Sequence, residues 1–173
     1  MKYLVVDDHA LVTTALSMLL QTRDPEAEVH TAANAAEALA LIDEHGESTD
    51  LLILDLSLPD VKGTELMEEI VNRMPMLKIL VLSGLVDQQS IMRVLQLGAA
   101  GFVPKSLDTD MLETAIDFVM KGGVYIPTKL LAENQRAGFF TQTVKHIPRT
   151  DTEPVHLTER QKDVLHLLAQ GAP

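Results

Sequence analysis

Short apolar runs alternate with stretches of helical periodicity, and this alternation constrains the chain more than any other feature. Residues 3–6, 29–32, 51–54, 79–82 and 101–103 read as strands. The first, third and fourth runs are almost continuously apolar, as expected for strands covered on both faces. Between them, residues 10–21 carry Leu11, Ala15, Met18 and Leu19 at helical spacing, and residues 35–44 carry Ala38, Leu39 and Ile42. Residues 64–72 repeat the pattern with Leu66, Met67 and Ile70, residues 88–97 with Ile91, Val94 and Leu95, and residues 109–120 with Leu112, Ala115, Ile116 and Val119. Asn34 is placed to cap the second helix, and Gly98 to end the fourth. The methionines lie mostly on these apolar stripes and read as core filler. Five β-α units in succession imply an α/β fold, a five-stranded doubly wound parallel sheet with right-handed crossovers, in the order 2-1-3-4-5.

The pattern stops after Lys121. Gly122, Gly123 and Pro127 interrupt it, residues 128–135 read as a short helix, and residues 137–156 are polar, with Pro148 and Pro154. Residues 157–171 are amphipathic again, with Thr158 and Gln161 spaced as a capping box and Gly171 as a stop. The expected organisation is a domain over residues 1–125, a linker over 126–156 and a partial helical segment over 157–173. Charge divides the same way. Residues 1–125 hold 20 acidic and 8 basic side chains, whereas residues 126–173 hold 5 and 6. An acidic body is unsuited to gripping a polyphosphate backbone, which needs clustered Lys and Arg, and is suited to cations. The chain has no cysteine, which excludes disulfides, thiolate metal sites and cysteine nucleophiles. No apolar run is long enough to span a bilayer, and the N-terminus reaches Asp7 and Asp8 too soon for a signal peptide. A soluble cytoplasmic protein with no membrane partner is expected.

In a parallel sheet every strand ends on the same edge, where ligands bind. Asp7 and Asp8 close the first strand, Asp55 follows the third, Ser83 follows the fourth and Lys105 follows the fifth. Three carboxylates, a hydroxyl and an ammonium therefore converge from distant parts of the chain. Two like charges about 4 Å apart repel by roughly 4 kcal/mol at an effective dielectric near 20. Such a cluster binds protons, a cation, or both. Oxygen ligands suit a hard divalent ion such as Mg²⁺, and a carboxylate can serve as nucleophile through an aspartyl phosphate. Lys105 and the ion would neutralise phosphoryl charge, with Ser83 in hydrogen-bonding reach.

The segments Val5-Val6-Asp7-Asp8-His9, Leu54-Asp55-Leu56-Ser57-Leu58-Pro59-Asp60 with Gly63, Val81-Leu82-Ser83-Gly84 and Gly101-Phe102-Val103-Pro104-Lys105-Ser106 closely resemble the receiver domain of two-component response regulators, a flavodoxin-like fold. The resemblance implies that Asp55 is the phosphoacceptor and that Mg²⁺ is held by Asp8, Asp55 and the backbone carbonyl of Ser57, with Asp7 reaching the ion through water. It implies that Lys105 pairs with the phosphoryl group and that Ser83 and Phe102 are switch residues, Phe102 turning into space that Ser83 vacates. Many receivers have proline after this lysine, often with a cis bond; here Ser106 follows, and a non-proline cis bond costs about 3 kcal/mol. The Pro104-Lys105-Ser106 form is similar to the NarL/FixJ-type branch. Residues 157–171 resemble the first helix of a LuxR-type helix-turn-helix domain, without the recognition helix that reads bases. DNA is therefore expected as a partner only of an intact protein with a complete helix-turn-helix, and the chain reads as a truncated form of one.

The resemblance implies a signalling protein rather than an enzyme, phosphorylated by a sensor histidine kinase, with homodimerisation, interdomain release, or both as output. A phosphatase using the same aspartyl phosphate needs a second Asp two residues after the nucleophile, and Ser57 stands there. A flavin module lacks its phosphate loop after the first strand. An unphosphorylated protein–protein adaptor is the remaining alternative.

Overall fold

The computed structural model describes residues 1–84, 87–106 and 108–126. The expected short helix at 128–135, the linker beyond residue 126 and the partial helical segment at 157–173 with its helix-turn-helix resemblance lie outside the described residues. The chain divides into units at Met1–Tyr125 and Ile126–Pro173, and only the first is described below.

Five strands, β1 (Lys2–Val6), β2 (Glu28–Ala32), β3 (Leu51–Asp55), β4 (Ile79–Ser83) and β5 (Gly101–Pro104), alternate with α1 (Ala10–Arg23), α2 (Ala35–His45), α3 (Gly63–Arg73), α4 (Gln88–Gln96) and α5 (Thr109–Met120). The strands form one sheet in the order β2-β1-β3-β4-β5, and every pair is parallel. This is the architecture expected from the alternation. The register keeps the carboxyl ends level: Val6 pairs with Ala32 and Leu54, Asp55 with Leu82, and Ser83 with Pro104. Asp55 and Ser83 are thus the last residues of their strands.

Burial follows the pleat. Tyr3, Val5, Leu51, Ile53, Leu80, Leu82 and Val103 pack with Leu16 and Leu20 of α1 and Ala115, Ile116 and Val119 of α5. The alternate residues Leu4, Val6, Leu52, Leu54, Ile79, Val81 and Phe102 are equally buried, on the opposite face by period two. β1, β3 and β4 are buried on both sides because two helical layers enclose them. The outer edge of β5 is partly covered: Phe102 N–H donates to the Tyr125 carbonyl at 2.9 Å, and Tyr125 N–H to the Ala100 carbonyl at 2.9 Å.

The helix ends follow local chemistry. Asn34 accepts a hydrogen bond from Glu37 N–H at 2.9 Å, and the Glu37 carboxylate accepts from Ala33 N–H at 2.8 Å, so the two satisfy orphan donors at the start of α2. At the end of α4, Gly98 has a φ of 104°; its N–H reaches the Leu95 carbonyl, and that of Ala99 reaches Val94. This is a Schellman stop, repeated at Gly122 (φ 90°) after α5. A one-turn 3-10 segment at Gly46–Ser48, not anticipated from periodicity, leads into β3. No described peptide bond is cis, Lys105–Ser106 included.

Two expectations are corrected. The α1 stripe of Leu11, Ala15 and Met18 faces outward, with Leu11 85% and Met18 64% exposed. The sheet is met instead by Leu16 and Leu20, with Val12 and Leu19 against them. Helical spacing admits both stripes, because α1 is apolar on two sides. The methionines are not mainly core: Met67 is buried, but Met1, Met18, Met76 and Met111 are exposed.

Gly98 offers open space for a side chain, with no atom within 4 Å of an added Cβ. Gly98→Ala therefore isolates the cost of a left-handed backbone, and urea unfolding should show a loss of about 1 kcal/mol. An unchanged midpoint would contradict the stop assigned to this residue.

Candidate functional site

Each site residue is set in place by the backbone at the end of its strand. Asp7 N–H donates to the Ala32 carbonyl at 3.0 Å, which continues the β1–β2 ladder. Its Oδ1 accepts from His9 N–H at 2.8 Å, an Asx turn that swings the chain into α1 and aims Asp8 outward. Asp55 repeats the device: its Oδ1 accepts from Ser57 N–H at 3.1 Å, which turns the chain after β3. The loop beyond, Leu56 to Lys62, forms with Asp8 the wall of an open cleft. Asp60 ties that loop to α2, both carboxylate oxygens lying 3.0 Å from Ala35 N–H. Lys105 N–H donates to the Ser83 carbonyl at 2.9 Å, which holds the turn after β5 against the end of β4.

The side chains converge. Lys105 Nζ donates to Asp55 Oδ2 at 3.0 Å and lies 2.8 Å from Asp7 Oδ2. Asp7 and Asp55 are 2% and 1% exposed, whereas Asp8 is exposed at the rim. Both carboxylates are thus paired with the one ammonium, Asp7 Oδ2 at the shorter distance. Burial pulls the Lys105 pKa down, but hydrogen bonds and charge from Asp7 and Asp55 outweigh it, and the net shift is upward. One ammonium faces three carboxylates, so two negative charges are left over.

These residues fit a hard divalent cation. One ligand atom from each of Asp7, Asp8, His9 and Asp55 can be chosen so that all lie within 4.8 Å of one another. Around Mg²⁺, with bonds of about 2.1 Å in an octahedron, ligand atoms lie roughly 3–4 Å apart. Three carboxylates set against one ammonium, with their ligand atoms this close together, favour a cation.

Ser83 and Phe102 are wholly buried. Val81 pairs with Phe102 and Ser83 with Pro104, so alternation puts Ser83 and Phe102 on one face of the sheet. The Phe102 ring is already inside the fold, not waiting on the surface. Two residues near the site carry no role that the sequence pattern implies. His9, one position past Asp8, places Nδ1 2.9 Å from Asp7 Oδ1 and 3.1 Å from Asp8 Oδ1. Asp60, noted only as part of a motif, braces the loop. Adjacency to Asp8 was the one available signal for His9; a link from residue 60 to residue 35 leaves none.

Comparison with known proteins agrees with this geometry. A family model described as the response regulator receiver domain matches residues 3–117. The oxygen regulatory protein NreC of Staphylococcus carnosus is 33% identical over 172 residues, covering 99% of this chain and 78% of that protein. NreC of Staphylococcus aureus is 32% identical over 173 residues, with the same coverage. Among solved structures, a LuxR-family two-component response regulator from an Aurantimonas species superposes with a TM-score of 0.68 at 26% identity, covering 83% of this chain and 97% of that one. A CheY-like receiver domain protein from Methanospirillum hungatei gives 0.64 at 28%, covering 70% and 94%.

The raised Lys105 pKa predicts an alkaline signature. A pKa higher in the folded than in the unfolded state gives stability that is complete below the unfolded value, about 10.4, and lost as pH rises through the folded value. Between pH 9 and 12 the protein should lose stability more steeply than Lys105→Met, by up to one proton. Burial raises the Tyr3 and Tyr125 pKa values, which gives the same sign, but both tyrosines are present in either protein and cancel in the comparison. Parallel curves would contradict the ion pairs drawn for Lys105.

Proposed function

The chain belongs to the two-component response regulators, in their NarL/FixJ branch, and from that membership we propose that Asp55 accepts a phosphoryl group from a sensor histidine kinase in the cytoplasm. The observation that carries the reading is the buried Asp55 carboxylate beside Asp7 and Lys105, at the carboxyl edge of the sheet and next to an open cleft.

An Asp55 carboxylate oxygen forms the new O–P bond while the P–N bond of the donor phosphohistidine breaks and its imidazole leaves with the electron pair. The Ser57 N–H holds Asp55 Oδ1 and Lys105 holds Oδ2, so the nucleophile is oriented before the donor arrives. Lys105 then follows the charge, passing from Asp55 Oδ2 to a phosphoryl oxygen. Asp8, Asp55 and the Ser57 carbonyl, with Asp7 through water, would hold Mg²⁺, which supplies positive charge toward the phosphoryl oxygens. Ser83 would hydrogen-bond the phosphoryl group, and its movement would change the packing of Phe102. The two conformations are biased by one local charge, so the response is a population shift. The output is a changed α4–β5–α5 surface that governs dimerisation and release of a DNA-binding domain, hence transcription. The protein acts as a switch, without substrate turnover beyond its own phosphorylation and dephosphorylation.

Incubation with acetyl phosphate and Mg²⁺ should raise the intact mass by about 80 Da, the increment of PO₃H. Asp55→Asn should abolish the gain. Lys105→Ala should still gain mass, slowly, yet fail to change its association state on phosphorylation. A wild-type protein that stays unmodified and binds no Mg²⁺ would favour the adaptor reading.

A further inference from the structure

His9 caps the start of α1 through its backbone, its carbonyl accepting from Val12 and Thr13 N–H at 3.0 and 3.1 Å. Its side chain makes no capping hydrogen bond. The imidazole instead leans over the acid pocket, with Nδ1 2.9 Å from Asp7 Oδ1, 3.1 Å from Asp8 Oδ1 and 3.3 Å from Lys105 Nζ. These partners make opposed demands on one nitrogen. The carboxylates call for a proton on Nδ1, and the ammonium calls for its lone pair. A cation among the carboxylates resolves the conflict, because carboxylate oxygens and an imidazole lone pair can all point at it.

The spacing supports that arrangement. Neighbouring ligand atoms of an octahedral ion with bonds of about 2.1 Å lie roughly 3 Å apart, and Nδ1 stands 3.1 Å from Asp8 Oδ1, an oxygen of the proposed ligand set. Nitrogen also changes which ion is preferred. Carboxylates and water suit Mg²⁺, whereas imidazole favours later first-row metals such as Co²⁺ and Ni²⁺.

We propose that His9 Nδ1 is a ligand atom of the acid pocket and sets its metal preference: Co²⁺ or Ni²⁺ binds through this nitrogen, and Mg²⁺ through oxygens alone. This rests on the pocket being the cation site of the preceding subsection. It adds a residue to that site and makes the ion beside Asp55 depend on which divalent metals are available.

The test compares the whole chain with His9→Ala and His9→Asn, titrated calorimetrically with Mg²⁺ and with Co²⁺, and records proton NMR of the Co²⁺ forms. Both variants should keep Mg²⁺ affinity within about threefold and lose Co²⁺ affinity by about tenfold or more. Co²⁺-bound wild type should show a strongly shifted, exchangeable imidazole N–H resonance that both variants lack. The other five histidines are present in all three proteins, so the difference reports on residue 9. Co²⁺ binding with equal affinity and the same resonance in His9→Ala would overturn the role of His9 while leaving the acid pocket intact. A wild-type chain that binds neither ion would overturn both.

Discussion

Two carboxylates buried at the edge of the sheet share one ammonium, and most of the local architecture serves that imbalance. Asp7 and Asp55 each stand within 3.0 Å of Lys105 Nζ, and Asp8 adds a third negative charge at the rim. Inside the sheet the same groups would be intolerable, since a buried charge without a partner costs several kcal/mol. At the edge they are tolerable because Lys105 pairs with both and Asp8 stands at the wall of an open cleft. The surplus charge is what the proposed cation and phosphoryl chemistry would draw on.

The fold makes this possible by spending its apolar residues on the strands. Continuous burial of β1, β3 and β4 fixes the register, and the register brings Asp7, Asp55, Ser83 and Lys105 level although they come from four β-α units. The turns that follow are short and self-bonded: Asp7 holds His9, Asp55 holds Ser57, and Asp60 reaches across to α2. Ser83 links the chemistry to the interior differently. It shares a sheet face with Phe102, while its carbonyl holds the Lys105 turn. A displacement at Ser83 is thus felt by the β5 backbone and by the packing beneath it.

What the sequence shows and what it hides both follow from these forces. Strands covered on both faces leave unbroken apolar runs, so the sheet and its order are legible from residues 1–125. Asn34 and Gly98 are legible because capping is local chemistry, and both perform the expected tasks. The strand-end carboxylates and Lys105 are legible as a set once the strands are placed. The face of α1 is not, because Leu11 and Met18 repeat at the same spacing as Leu16 and Leu20 and only packing chooses between them. Asp60 and His9 stay hidden for a related reason: their partners are fixed by how loops close over one another, which no periodicity encodes.

The central claim is that the pocket carries more negative charge than Lys105 can neutralise. Thermal unfolding in increasing Mg²⁺ tests it most directly. The account predicts that the wild-type midpoint climbs with Mg²⁺, because the ion binds only the folded pocket, while Asp8→Asn starts higher in metal-free buffer and gains little. A wild-type midpoint that ignores Mg²⁺, or an Asp8→Asn protein less stable than wild type without it, would contradict the charge imbalance.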